Sequence, residues 1–274
     1  MDLALAAKAV VLGIIEGVTE FLPISSTGHL VIAADLLDFA DPGEVFTVVI
    51  QLGAILAVCF YYHRRLWQLV RGMCTGDGAS WRFVANVLIA FIPAAIAGVL
   101  LDDWLDAHLF NPPTVAATML LGGIAIIGIE RTRHEPRWTD AAALPPRTAL
   151  AIGLCQLLAL VPGVSRSGAS ILGAMCLGVD RRAATEFSFF LAIPIMIGAS
   201  GLKLFKHGDR LGEHGLSAIA IGFVVSFLVA LAVVHWLLKF VARHDFVPFA
   251  WYRIVAGIAL VVAIALGWIR SFPA

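Results

Sequence analysis

The chain has 274 residues, 60% hydrophobic and 14% charged, with 19 basic against 19 acidic side chains and a formal net charge of zero. Ordinary soluble domains carry about 25% charged residues, so this composition, with a mean hydropathy of +0.92, excludes a typical water-soluble domain and points to a polytopic membrane protein. The neutral balance argues against a nucleic-acid partner, which calls for a basic excess or patch, and the scattered Cys59, Cys74, Cys155 and Cys176 form no Cys-x-x-Cys pair and no secreted disulfide framework.

Crossing a bilayer core takes about 20 apolar residues per helix. The first apolar region covers 3–38 and is interrupted by Glu16, Glu20 and the sequence Pro23-Ile24-Ser25-Ser26-Thr27-Gly28. Stretches without Asp, Glu, Lys or Arg follow at 45–62, 83–101 and 110–129. A second interrupted region covers 148–179, broken at Pro162-Gly163-Val164-Ser165-Arg166-Ser167-Gly168, and charge-free stretches at 187–202, 215–238 and 254–269 complete the chain. The six uninterrupted stretches are expected to be transmembrane helices, the two shortest extended by their flanks. Trp67, Trp81, Trp104, Trp236, Trp251 and Trp268 lie near their ends, where indole rings favour the membrane interface.

The arm from 148 to 161 would be only about 21 Å long as a helix, too short to cross. Broken backbone at membrane depth is tolerated only where protein or water satisfies it. Both interrupted regions are therefore expected to be re-entrant helix pairs, with two ordinary kinked spans as the alternative. The expected fold is an all-α polytopic membrane protein, a single integral membrane domain over 1–274 with six transmembrane helices and two re-entrant pairs.

Charge asymmetry orients this arrangement. Segments 63–82, 130–186 and 239–253 share one side and hold 13 basic residues: Arg64, Arg65, Arg71, Arg82, Arg131, Arg133, Arg137, Arg147, Arg181, Arg182, Lys239, Arg243 and Arg253. The other side holds Lys8, Lys203, Lys206, Arg210 and Arg270, and its loop Asp102-Asp103-Trp104-Leu105-Asp106 has no base; Arg166 lies in a break. The expectation is a membrane protein with both termini outside the cytoplasm. No cleavable signal is evident, because Glu16 and Glu20 interrupt the first apolar stretch.

The two broken regions align at an offset of 140, matching Gly13 with Gly153, Glu16 with Gln156, Ser25 with Ser165, Thr27 with Ser167 and Gly28 with Gly168. Further on, Glu44 and Glu186 each precede an apolar span that ends in basic residues. Three spans separate the units, so the hairpins enter from opposite sides. This is the pattern of an inverted-topology repeat whose broken elements meet near the midplane, with repeat one at about 1–130 and repeat two at about 147–270. Gly and Ala along 110–130 would permit close helix packing, including in a homodimer.

The charges inside the apolar regions carry the chemistry. Glu16 and Glu20 are four apart and share a helix face; two carboxylates there call for a cation, a shared proton or a basic partner. Pro23 ends the first arm, and Ser25 or Ser26 is suited to cap the second, whose N-terminus is a ready anion site. His29 lies in the first turn of that arm, within reach of Ser26. A Ser–His pair can act as nucleophile and base, or His can itself take a phosphoryl group. In the second break Arg166 stands between Ser165 and Ser167 at another helix start, a planar guanidinium suited to a phosphate; pairing of Arg166 with Glu16 or Glu20 is the structural alternative. Ser25, Thr27 and Gly28, with Ser165, Ser167, Gly168 and Ser170, are expected around the phosphates. The assembled set suits phosphoryl transfer from a diphosphate lipid.

At these residues the sequence resembles the bacterial undecaprenyl-diphosphate phosphatase family, also known for bacitracin resistance. The segment from Glu16 through Glu20 to Ser25-Ser26-Thr27-Gly28-His29 is similar to the family's Glu-x-x-x-Glu segment with its Ser-Ser-Thr-Gly-His tail. Pro162-Gly163-Val164-Ser165-Arg166-Ser167-Gly168-Ala169-Ser170 is similar to its Pro-Gly-x-Ser-Arg-Ser segment, with Ser170 where Thr is usual. The resemblance extends to Val48-Val49-Ile50-Gln51-Leu52-Gly53 and to overall length. It implies hydrolysis of undecaprenyl diphosphate, recycling of the carrier for cell-wall synthesis, dependence on Mg²⁺ or Ca²⁺, and a site open to the outer face. It also implies inhibition by bacitracin through capture of the substrate. Carried over by position, Glu16 and Glu20 take metal and acid/base roles, Ser26 and His29 the nucleophilic chemistry, and Arg166 with Ser165 the phosphate grip. Ser26 is favoured as nucleophile, with His29 as its base.

The acid-phosphatase-type lipid phosphatases share a Ser-Gly-His segment and a later Ser-Arg. They also need a Lys-x6-Arg-Pro segment and a downstream His-x3-Asp, which this chain lacks. A different class, a transporter or flippase of the lipid phosphate, shares the inverted-repeat architecture.

Overall fold

The computed structural model describes residues 3–41, 45–132, 135–207 and 216–269. Glu44, Arg133, Arg210 and Arg270, counted above, lie outside the described residues, as do the side chains of Asp102, Asp103 and Asp106. Helix α1 (Leu3–Thr19) stops where Pro23 has no amide to bond the carbonyl four residues back. After the break α2 (Ser26–Leu36) begins, capped by Ser25 Oγ, which accepts from Gly28 N at 3.4 Å. Helix α3 (Val45–Tyr61) is followed at a bend of 72° by α4 (His63–Cys74). Then come α5 (Gly78–Leu109) and α6 (Pro112–Arg131). The second broken element is α7 (Pro146–Gln156), a 3₁₀ turn over Leu157–Leu160, and α8 (Arg166–Cys176), capped by Ser165 Oγ on Gly168 N at 3.1 Å. Helices α9 (Arg181–His207), α10 (Leu216–Val241) and α11 (Val247–Ala265) complete the chain.

Among the described residues α5, α6, α9, α10 and α11 are long and apolar enough to cross a membrane, and the bent pair α3–α4 makes a sixth candidate. This is the expected all-α class. Within each broken element the two arms pack against each other, α1 on α2 and α7 on α8. Three boundaries differ from the sequence expectation. Segment 63–82 contains α4, whose exposed Trp67 and buried Leu69 mark two faces. Helix α5 runs through 102–106, read above as a loop, and stops only before Asn111, which caps α6 by accepting from Thr114 N at 2.9 Å. Helix α11 starts at Val247, six residues before Arg253, so this arginine is inside a helix and not in an inner-face loop. Charge-free windows locate apolar cores, whereas caps and prolines set helix ends.

Helix α1 packs along α10 and α7 along α5; α10 also packs on α3, α5 on α9, and α3 on α9. The aligned glycines explain the first two crossings. A Cβ on Gly13 would stand 2.7 Å from the Gly222 carbonyl of α10, and one on Gly153 would stand 2.3 Å from the Ala90 carbonyl of α5. Neither position has room for a side chain. The small residues of α6 are used within the chain: Gly122 faces the Arg253 guanidinium and Gly123 the Ala250–Ile254 turn of α11.

A buried aromatic group, Phe21, Phe83, Phe187, Phe189 and Phe190, fills the centre beneath the first break. Where α6, α9 and α11 come together, Glu130 of α6 accepts from Arg181 Nε of α9 and from the Phe246 amide at the start of α11, both at 2.9 Å. Outward-facing Leu88, Ile96, Leu100, Val255 and Ile258 are exposed, an apolar coat that a bilayer would cover. The six interface tryptophans are all exposed.

Candidate active site

The two breaks meet. Ser167 Oγ donates to the Leu22 carbonyl at 2.8 Å and Ser165 Oγ to the same oxygen at 3.3 Å. Both capping serines adopt left-handed backbone, Ser25 with φ 74° and Ser165 with φ 78°. Such a backbone costs on the order of 1–3 kcal/mol for a residue with a Cβ, and each serine recovers part of that by capping a helix start.

Holding the breaks together is Arg253, fully buried on α11. Its guanidinium donates to the Pro23 carbonyl of the first break at 3.2 Å. It donates to Gly163 and Val164 of the second at 2.9 Å each, and to Thr118 and Met119 of α6 at 2.8 and 3.3 Å. An arginine counted above among the inner-face charges is thus the hub of the site. Carbonyl oxygens on bent backbone gather acceptors with no helical partner, and one fork of five N–H donors satisfies them.

Beside this hub Glu20 is bonded on both oxygens. Ser26 Oγ donates to Oε2 at 2.5 Å, and Arg166 donates to Oε1 from Nη2 at 3.1 Å and from Nε at 3.4 Å. Arg166 also reaches the Ser188 carbonyl at 3.3 Å and lies 5.8 Å from the Phe21 ring centre. The expected Ser26–His29 contact is replaced by Ser26–Glu20. His29 Nδ1 faces the Ser25 carbonyl at 2.6 Å and its Nε2 faces the Tyr252 hydroxyl at 2.5 Å, with the two rings stacked at 14°. The helical geometry explains the change: Ser26 opens α2 pointing back at the end of α1, while His29, three residues on, turns toward α11.

A cavity of about 190 Å³ opens at this point, lined by Glu20, Ser25, Ser26, Thr27, Ser165 and Arg166 among the expected residues, and by Gln51 and Gln156, which were not singled out. Glu16, Gly28, His29, Ser167, Gly168 and Ser170 do not line it. Ser170 is bonded to the Arg166 carbonyl at 2.9 Å and to the Ser188 hydroxyl at 2.7 Å, and so supports Arg166 from behind. An adjoining space of about 340 Å³ shares Thr27, Gln51 and Leu160 with it and is walled by Leu30, Val31, Phe39, Leu105 and Phe110.

The donor set for a divalent cation is small. Among the described residues no group of three His, Cys, Asp or Glu side chains converges, but Glu16 is buried with Oε1 lacking any partner, within electrostatic reach of Glu20 and Arg166. Two carboxylates, one with an orphaned oxygen, are donors of the kind a hard cation uses when it shares its coordination with a bound phosphate.

The sequence did not place Arg253, Tyr252, Gln51 or Gln156 at the site. The available signals were slight: Gln156 aligns with Glu16, and Gln51 is the one amide within 45–62.

The family model described as bacitracin resistance protein BacA matches residues 9–259. Undecaprenyl-diphosphatase 2 of Rhodospirillum rubrum is 51% identical over 270 residues, covering 98% of this chain and 97% of the relative. The undecaprenyl-diphosphatases of Parvibaculum lavamentivorans and Laribacter hongkongensis are 52% and 50% identical, covering 94% and 98% of this chain and 96% and 99% of their own lengths. With a family model and relatives matched over nearly its whole length, the chain belongs to the BacA family of bacitracin resistance proteins.

Proposed function

We propose that the protein is an integral-membrane phosphatase that hydrolyses undecaprenyl diphosphate to undecaprenyl phosphate and inorganic phosphate, returning the lipid carrier to cell-wall synthesis and so giving bacitracin resistance. The observation that carries this reading is Glu20, which accepts from Ser26 on one oxygen and from Arg166 on the other. That set supplies a nucleophile, a base and a phosphate grip in one cavity. The names of the relatives agree with hydrolysis and do not favour carriage of the lipid across the bilayer.

In this mechanism Arg166 turns from Glu20 to the terminal phosphate. Ser26 Oγ bonds to the terminal phosphorus as its proton passes to Glu20. The bond from that phosphorus to the bridging oxygen breaks, and undecaprenyl phosphate leaves with the electron pair and the proton held by Glu20. Water then attacks the phosphoserine and gives its proton to Glu20. The phosphorus–Oγ bond breaks, Oγ recovers the proton, and inorganic phosphate departs. Glu16 with Glu20 would hold Mg²⁺ or Ca²⁺, which when bound neutralises phosphate charge. The 340 Å³ space, whose lining includes Leu30, Val31, Phe39, Leu105 and Phe110 beside Asp41 and Lys203, suits the first units of the prenyl chain.

The same reading opens the site to the outer face with both termini outside. It takes the two broken hairpins as an inverted repeat, on the support of their like caps, their like glycines and the exchange of packing partners between α1 and α7. Purified protein should release phosphate from a C55 or C15 prenyl diphosphate, with release lost on chelation and in Arg166→Ala and Glu20→Ala. Ser26→Ala should form no phosphoenzyme, while His29→Ala still forms one. Normal turnover in both Arg166→Ala and Glu20→Ala would overturn this reading.

A further inference from the structure

Gln156 is the last residue of α7, 2% exposed, and neither its Oε1 nor its Nε2 has a hydrogen-bond partner among the described residues. A buried amide with both ends unpaired loses its hydration and recovers nothing. The chain around it is Leu154-Cys155-Gln156-Leu157-Leu158, so an apolar side chain there would suit the local composition and avoid that loss. Gln156 lines the same cavity as Glu20, Ser26 and Arg166.

The two orphaned atoms are opposite in kind. An anion would satisfy the Nε2 donor and leave Oε1 bare; a cation would satisfy Oε1 and leave the donor bare. A cation–diphosphate complex satisfies both at once. The residue type fits this role for an electrostatic reason. Gln156 aligns with Glu16, and a carboxylate there would add a third negative side chain to a site that must admit an anion. We propose that Gln156 contacts the substrate directly, donating its amide N–H to a diphosphate oxygen while its Oε1 faces the divalent cation bound with that diphosphate. This inference rests on the hydrolase reading above.

The test uses the full chain in detergent, with Ca²⁺ and methylenediphosphonate as non-hydrolysable probes, read by thermal melting, and with C15 prenyl diphosphate for turnover. In wild type the two probes together raise the melting temperature more than the sum of either alone. Gln156→Leu keeps or raises the melting temperature without ligand, since it removes an orphaned amide. It also weakens the joint half-saturation and raises KM by about tenfold or more. A residue serving only the fold would show the reverse, a lower melting temperature with ligand response intact. Gln156→Glu keeps an oxygen toward the cation but loses the donor and adds charge. It should bind Ca²⁺ at no higher concentration than wild type while KM rises by about tenfold. Joint half-saturation and KM of Gln156→Leu within about twofold of wild type would overturn the proposal. If that variant does not fold, an unchanged KM in Gln156→Glu overturns it. A wild type that releases no phosphate sinks the hydrolase reading instead, whatever the variants do.

Discussion

In the proposed mechanism Glu20 and an incoming phosphate compete for one guanidinium, because Arg166 is already paired with Glu20 at 3.1 Å. The carboxylate therefore sets both the reactivity of Ser26 and the affinity for substrate, in opposite directions. Glu20→Gln keeps the shape of the side chain but can no longer take a proton. Its kcat for prenyl diphosphate should fall by on the order of 10²–10⁴, while KM stays level or drops because Arg166 is released from its ion pair. Steady-state phosphate release measures both; a rise in KM with kcat unchanged would contradict the assignment. At this scale the sequence was legible where a charge or hydroxyl interrupts an apolar run, as with Glu16, Glu20, Ser26 and Arg166. It was not legible for the partner of Ser26, since spacing along a helix cannot report how a break folds one arm back on another. Arg253 was hidden for a different reason: next to an apolar run, an arginine at the edge and one buried a turn deeper look alike.

The helices hold the site by their broken ends, and two of their features make predictions. Arg253 on α11 joins carbonyls from both breaks and from α6. Arg253→Met fills much of the space but leaves several buried carbonyls without donors, at about 1–3 kcal/mol each. Thermal or denaturant melting in detergent should show a loss of about 3 kcal/mol or more, and turnover should fall although Arg253 does not line the cavity. Outside the membrane, Asp77 caps α5, accepting from Ser80 Oγ at 2.6 Å and from the Ser80 and Ala79 amides. The Ser80 hydroxyl, then these amides, hold its carboxyl below the usual carboxylate range. A depressed folded-state pKa contributes stability above the unfolded value that is lost as pH falls through the folded one. Stability should therefore decline as pH drops below the ordinary aspartate range. Asp77→Asn should flatten that decline, as acid melting curves of the two proteins would reveal. The breaks themselves were readable from Pro, Gly and Ser. Helix α4 was not, because Arg64, Arg65 and Arg71 read as a connecting loop when an amphipathic helix at a membrane surface carries the same charges.

For the whole molecule, composition alone pointed to a membrane, and the charge-free runs fall on the five candidate spans and on the bent pair α3–α4. Orientation rests on the basic residues of 63–82 and 130–186, and native cysteines report on it. Cys74 and Cys176 are exposed at the ends of α4 and α8. A membrane-impermeant maleimide should label them in inverted vesicles and not in intact spheroplasts; labelling from outside would reverse the topology.

The arginine on α11 also bears on how the molecule moves. A carrier exposes its site to one side and then the other by letting two halves swing apart. Here a swing would strip one buried guanidinium of several carbonyl partners in a single step. The halves are pinned at their shared centre. In the proposed hydrolase, exchange of substrate and product then falls to the lipid headgroup and not to a swing of the two halves.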